Sequence, residues 1–206
     1  MTAILALAAV ANALRPASAV PPSGSGLTVK YFAFGSNLAA SVREGRRGLR
    51  PVSSSPGLVR RARLAFNMGT GFGPEPAFAS LMPASEADEC HGAVYELTLA
   101  DWVKLCASEG VPAAYRVIQV DVEDYGRESA EPAYTLTSGL LSSPVDMPPS
   151  ERYMGLLRDG AREMGLTQAW QDKLASIRTA PSAAGTQAPS EPTPSSFESR
   201  PGATFV

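Results

Sequence analysis

Two short stretches of this 206-residue chain hold the side chains best suited to chemistry. In "VKYFAFGSNLAAS", Val29 to Ser41, an aromatic apolar run ends abruptly in Gly35-Ser36-Asn37. The glycine lets the chain turn and lets a ligand approach the backbone. Ser36 and Asn37 add short hydrogen-bonding side chains, and their exposed amides could cradle an anion. In "TLADWVKLCASEGV", Thr98 to Val111, Leu99, Trp102 and Cys106 recur at helical spacing, and the next position of that stripe is Glu109. A carboxylate is thereby set on an inward face, at the helix end where the backbone dipole disfavours negative charge. An acid so placed is a candidate general base. Each stretch has a plainer reading as well: an ordinary strand-to-helix turn capped by Ser or Asn, and a last-turn acid that points into water.

The remaining reactive side chains are few. His91 is the single histidine, so any Ser/His/Asp or Cys/His mechanism would have to run through it. Cys90 and Cys106 are the two cysteines and form no CxxC, which argues against a disulfide scaffold and a structural zinc site, and the single histidine argues against a His-rich metal centre. No metal and no cofactor is expected. Cys106 is weighed as a thiol nucleophile, but a cysteine on an apolar stripe is usually packing. His91 sits in a strand pattern as a structural or surface residue; Trp102, Trp170 and Tyr95 read as core, and Tyr115 as either pocket lining or core. With 18 Lys+Arg against 20 Asp+Glu and a net charge of -2, there is no basic footprint for nucleic acid and no charge drive to a membrane surface.

The elements that must position these groups follow from periodicity. "VKYFAF" predicts a buried first strand; Gly57 to Phe66, Ala77 to Pro83, Cys90 to Leu97, Tyr115 to Tyr125 and Ala133 to Gly139 predict further strands. Residues 67–76 read as a Gly/Pro loop. Thr98 and Asp101 form a capping-box pattern at the start of the Glu109 helix, and Gly110 and Pro112 stop it. Two more helices start at Ser150 and Thr167. Strands followed by terminal helices predict an α+β fold rather than alternating βαβ units. Residues 1–26 are apolar and Ala-rich, with "ASA" at Ala17 to Ala19 like a small-residue cleavage site but no basic residue before Arg15. They are taken as a targeting or unstructured segment, residues 27–178 as the domain, and residues 179–206 as a Pro/Ser-rich disordered tail.

Three motifs, in order along the chain, resemble the gamma-glutamylcyclotransferases: "YFAFGSNL"; "CHGAVYELTLADWVKLCASEGVPAAYRVIQVDV"; and "PSERYMGLLRDGAREMGLTQAWQDKLASI". The resemblance implies a small mixed β-barrel with flanking helices and an active site at its mouth. It implies that Glu109 is the general acid/base, that Tyr31, Phe32, Ala33, Phe34, Gly35, Ser36 and Asn37 form the substrate loop, and that Tyr153 contacts substrate. Phe34 stands where many members have tyrosine, which removes a hydroxyl. The implied reaction closes a gamma-glutamyl group to 5-oxoproline and releases its amine partner. Alternatives are cyclotransferases for gamma-glutamylamines or for glutathione, and a non-catalytic gamma-glutamyl-binding module. The partner is then a small molecule, with no nucleic acid and no stable membrane association; a homodimer is left open. The location is cytoplasmic, or organellar (such as chloroplast) if residues 1–26 are a transit peptide.

Overall fold

In the computed structural model, which describes residues 14–17, 28–69, 75–127, 129–139 and 142–181, the short strand Leu14–Pro16 (β1) precedes Thr28–Ala33 (β2). Strands Ser53–Arg60 (β3), Ala62–Met68 (β4), Phe78–Pro83 (β5), Glu89–Thr98 (β6), Tyr115–Asp124 (β7) and Ala130–Ser138 (β8) follow. Three α-helices join them: Leu99–Ser108 (α1), Glu151–Glu163 (α2) and Gln168–Ser176 (α3). Apart from Leu14–Ala17, the N-terminal segment 1–26 lies outside the described residues, as does the tail from 182 onward.

Strands β7, β3, β6, β2 and β8 pair in that order, and β8 pairs back onto β7, so the sheet closes into a five-stranded barrel. The β2–β8 contact, at Tyr31 opposite Tyr134, is parallel and the other barrel pairings are antiparallel. This is the mixed barrel with flanking helices that the resemblance implies. Closure removes most of the exposed sheet edge. β1 adds to the edge of β7 at Ile118 to Val120, beside the short stretch where β7 meets β3. Among the described residues no helix is long and apolar enough to cross a membrane.

The segment expected as one strand over 57–66 is two. Arg61 takes a left-handed conformation, φ 55°, and the chain turns there. β3 therefore stays in the barrel while β4 leaves it to pair with β5, and this hairpin lies over the barrel rim. Thr137 of β8 ties it down by donating its hydroxyl to the Leu81 carbonyl at 2.7 Å.

All three α-helices start where a hydroxyl accepts an amide: Thr98 from Asp101, Ser150 from Tyr153 and Thr167 from Trp170. Asp101 does not close the expected capping box. Its carboxylate instead accepts the Arg50 amide at 3.0 Å and Lys104 Nζ at 3.1 Å, stitching α1 to the loop before β3. The buried stripe of α1 also differs from expectation: Leu99 is 51% exposed, and Trp102, Leu105 and Cys106 form the inner face. Trp102 anchors it, its ring 6.1 Å from that of Tyr31 and 5.7 Å from that of Tyr134.

α2 crosses directly against the turn that follows β2. A Cβ added to Gly160 would lie 2.4 Å from Leu38 Cβ and 2.5 Å from the Ala39 amide nitrogen, so only glycine permits this approach. Gly155, on the same helix, faces open space. Gly160→Ala is therefore expected to destabilise by about 1–3 kcal/mol through overpacking. The better helix propensity of alanine, about 1 kcal/mol, does not offset a clash with backbone atoms. Gly155→Ala should be neutral or slightly stabilising. Urea midpoints of the two variants check this, and equal shifts would contradict the packing described.

Candidate active site

The Glu-Gly-Val sequence at the end of α1 is a mechanical unit. Glu109 is the C-cap, Gly110 takes φ 66°, and two reverse bonds close the helix: Gly110 N–H to the Ala107 carbonyl at 3.2 Å and Val111 N–H to the Cys106 carbonyl at 3.1 Å. That pairing is a Schellman closure, in which the left-handed residue is almost always glycine. It fixes the direction in which the Glu109 side chain leaves the helix. The side chain turns inward and is only 14% exposed.

The carboxylate is not alone there. Its Oε1 accepts Asn37 Nδ2 at 2.9 Å and pairs with Arg47 Nη2 at 2.8 Å. Asn37 Nδ2 also donates to the Tyr31 hydroxyl at 3.0 Å, and Asn37 Oδ1 accepts Arg47 Nε at 2.7 Å. Two neighbouring segments, the end of β2 with its turn and the stretch after that turn, thus meet the end of α1, about 60–70 residues later in the chain. Asn37 belongs to a single 3-10 turn, Ser36–Leu38, whose first amides have no partner within the turn.

These groups line a cavity of about 300 Å³ at the barrel mouth. Of the residues expected to form the site, Tyr31, Phe34, Gly35, Ser36, Asn37, Glu109 and Tyr153 line it. Phe32 and Ala33 do not; both are fully buried in β2, where Phe32 packs on the side of β6 opposite to Tyr31 and Ala33 is paired with Ala93. Gly35 has φ -107°, so its role is not a left-handed turn. An added Cβ would instead lie 3.3 Å from Ala79 Cβ and 3.4 Å from the Tyr153 hydroxyl, which identifies it as a close-approach glycine.

Several lining residues carry no signal in the motifs. Met68, Phe78 and Ala79 come from the β4–β5 hairpin, and Arg46, Arg47 and Arg152 bring positive charge. Arg46 has no ion pair or hydrogen bond among the described residues. Glu75 lies just outside the cavity, its side chain 4% exposed, and organises the start of α2. It accepts the Ser150 amide at 3.0 Å, the Ser150 hydroxyl at 2.8 Å and Arg152 Nη2 at 2.9 Å. A carboxylate at a helix N-terminus is favourably placed against the dipole. The "GRR" run at Gly45 to Arg47, so soon after the Gly-Ser-Asn turn, is the one sequence cue that could have drawn attention to Arg47; nothing around Glu75 offers one.

The thiol reading of Cys106 loses support, because burial and the neighbouring Glu109 charge push its pKa up to about 11. His91 lies away from the cavity. It is buried, stacked on Trp170 at 4.9 Å and hydrogen-bonded to Tyr125 and Glu89, a structural residue holding α3 to β6. Among the described residues no three His, Cys, Asp or Glu side chains cluster as a metal site.

The AIG2-like family model matches residues 89–174, from β6 to α3. Over 155 residues the chain is 32% identical to the gamma-glutamylcyclotransferase of Mus musculus, an alignment spanning 74% of this chain and 80% of the mouse protein. The chain belongs to the gamma-glutamylcyclotransferase family. It is also 33% identical over 152 residues to the gamma-glutamyl cyclotransferase aclK of Aspergillus oryzae, covering 65% of this chain. It spans only 55% of that longer fungal relative. A solved gamma-glutamyl cyclotransferase structure superposes with a TM-score of 0.65 at 24% identity, covering 77% of this chain and 92% of the other, which shows the shared fold.

Within this gamma-glutamylcyclotransferase fold the cavity is walled by tyrosines whose ionisation is suppressed. Burial, reinforced by the Glu109 charge, raises the pKa of Tyr31 and Tyr115 well above the ordinary tyrosine range. Tyr153 is pushed up to about 12 by burial first; its hydroxyl accepts the Ala79 amide at 3.1 Å, which opposes the rise. Tyr95, beneath the Arg43 guanidinium, is likewise pushed up to about 12 by burial. The unfolded chain loses these protons first, near the ordinary tyrosine value of 10.0, so their contribution to stability is complete below that pH. It is lost as pH rises through the folded values. The urea midpoint is therefore expected to fall steadily between pH 10 and about 12, and less steeply in Tyr153→Phe. A midpoint flat across that range would contradict the burial assigned to these hydroxyls.

Proposed function

We propose that the chain is a gamma-glutamylcyclotransferase that converts gamma-glutamyl amino acids or peptides to 5-oxoproline and the free amine. The observation that carries this reading is the Glu109 carboxylate, directed into a cavity of about 300 Å³ beside the Gly35–Asn37 turn. A gamma-glutamyl compound carries its own nucleophile, the α-amine. Its attack on the γ-carbonyl forms one C–N bond within a five-membered ring, and the bond to the departing amine breaks. Water does not enter the balance, and no serine or cysteine nucleophile is required.

Two tasks fall to the protein. It must fold the substrate so that amine and carbonyl are in contact, a positioning effect worth up to several kcal/mol. It must also remove two protons from the α-ammonium, one to free the amine for attack and one as the ring nitrogen becomes an amide. Glu109 can take a proton and return it to the leaving nitrogen. The other goes to solvent, from which the released amine takes up its own. The amides of Ser36 and Asn37, which have no partner among the described residues, are suited to the oxygen that becomes negative on attack. Arg46 and Arg152, which line the cavity, are suited to the substrate carboxylates. The hydrophobic walls from Phe34, Met68 and Phe78 exclude water from the reacting groups.

Glu109→Gln preserves the shape and one acceptor oxygen but cannot exchange the proton. With gamma-glutamyl-alanine as substrate it is expected to lower kcat for 5-oxoproline release by about 10²–10⁴-fold, with a smaller change in KM. Equal release by both proteins would remove Glu109 from the reaction. Release of amine from gamma-glutamyl amines or glutathione, but not from gamma-glutamyl-alanine, would move the assignment to one of the alternative substrate classes.

A further inference from the structure

A carboxylate has two oxygens, and a proton-transfer step at a fixed geometry needs one of them in a fixed place. Here the two are unequal. Oε1 of Glu109 is engaged twice, by Arg47 Nη2 at 2.8 Å and Asn37 Nδ2 at 2.9 Å. Among the described residues no hydrogen bond is made to Oε2. The same arginine also settles the amide of Asn37. By donating Nε to Oδ1 at 2.7 Å, it leaves Nδ2 as the group that faces Glu109 and the Tyr31 hydroxyl. Its third nitrogen, Nη1, donates to the Ser108 hydroxyl at 2.5 Å, next to Glu109 on α1. All three nitrogens of the guanidinium fork are thus directed, each to a different residue of the site.

The backbone that presents Arg47 is built for that reach. Residues Ser41–Arg46 form a wide π-type turn, and the Arg47 amide donates back to the Val42 carbonyl at 2.9 Å. Such turns are rare and concentrate at functional sites. Buried Arg43 pins the segment to the barrel. Its Nη1 donates to the Leu38 carbonyl at 2.8 Å and to the Tyr95 hydroxyl at 2.6 Å, and its guanidinium lies 4.5 Å over the Tyr95 ring.

We propose that Arg47 is a positioning residue for Glu109: it holds Oε1 and the Asn37 amide together and leaves Oε2 as the oxygen that exchanges protons with the substrate. The proposal rests on the reaction assigned above. The other ionisable groups facing Glu109 are Tyr31 from β2, Cys106 from α1, Tyr115 from β7 and Tyr153 from α2, all neutral near pH 7 through burial, while Arg46 and Arg152 line the same cavity as cations. Arg47 is the one cation in contact with the carboxylate among the described residues, and lysine cannot replace its fork, because one ammonium cannot keep three such contacts in place.

The test compares the full chain with Arg47→Lys and Arg47→Met in two readouts. One is kcat and KM for 5-oxoproline release from gamma-glutamyl-alanine across a pH series. The other is the titration of the Glu109 carboxyl carbon by NMR, identified as the glutamate resonance missing from Glu109→Gln. Arg47→Lys is expected to keep the titration midpoint near that of wild type while kcat falls on the order of 10²-fold and KM changes little. Arg47→Met removes the favourable charge, so the midpoint rises, and the acid limb of the kcat profile moves to higher pH with it. A merely structural arginine would lower thermal stability in both variants without moving that limb. Wild-type kcat in Arg47→Lys, or an unmoved midpoint in Arg47→Met, would overturn the proposal. If wild type itself released no 5-oxoproline, the reaction assignment would fail, and the NMR midpoint would still decide whether Arg47 holds Glu109.

Discussion

A carboxylate drawn out of water at the end of a helix is the constraint around which this protein is arranged. Glu109 lies where the helix dipole opposes it and where solvent barely reaches, so its surroundings must supply the hydrogen bonds that water would have given. The chain meets that demand with two groups from the other side of the mouth, Asn37 and Arg47, each of which has been brought there by its own local device. A single 3-10 turn carries Asn37, and a π-type turn carries Arg47. The Schellman closure at Gly110 aims Glu109 back at both. Disturbing any one of the three leaves the others incompletely satisfied.

The barrel contributes rigidity more than chemistry. Closing five strands places the ends of β2 and β8, the start of β7 and the C-terminus of α1 on one rim. The β4–β5 hairpin and the start of α2 then wall in the space above it. Glu75, buried beneath the first turn of α2, bonds to Ser150 and Arg152 and so holds the helix that carries Tyr153. Tyr153 in turn reaches the Ala79 amide, with its ring edge-on to Phe78 at 5.3 Å. Tyr153, which lines the cavity, is thus held through a carboxylate at the N-terminal end of its own helix.

Much of this was legible in the sequence, and the parts that were not share a cause. Apolar runs located β5 and β6, and period-two alternation β7, to within a residue or two, and the hydroxyl caps at Thr98, Ser150 and Thr167 were readable because capping is a local interaction. The inward direction of Glu109 followed from helical spacing, although Leu99 does not belong to the buried stripe. The split between β3 and β4 was missed because Arg61 adopts a conformation that arginine rarely takes and no glycine marks it. Arg47 and Glu75 were missed because each acts across 60 or more residues of sequence, through contacts that no local pattern encodes. Phe32 and Ala33 were carried into the site by the motif that contains them, whereas the strand's alternation and tight pairing assign them to the barrel wall.

The central claim is that the substrate's own amine, not water, attacks the γ-carbonyl inside this cavity. Running the reaction of gamma-glutamyl-alanine in H₂¹⁸O and weighing the product by mass spectrometry tests it most directly. Intramolecular attack yields 5-oxoproline with no ¹⁸O above the uncatalysed background, because both of its oxygen-bearing carbons keep the oxygens they brought. Glutamate carrying one ¹⁸O in its side-chain carboxylate would mean hydrolysis, and would contradict the account.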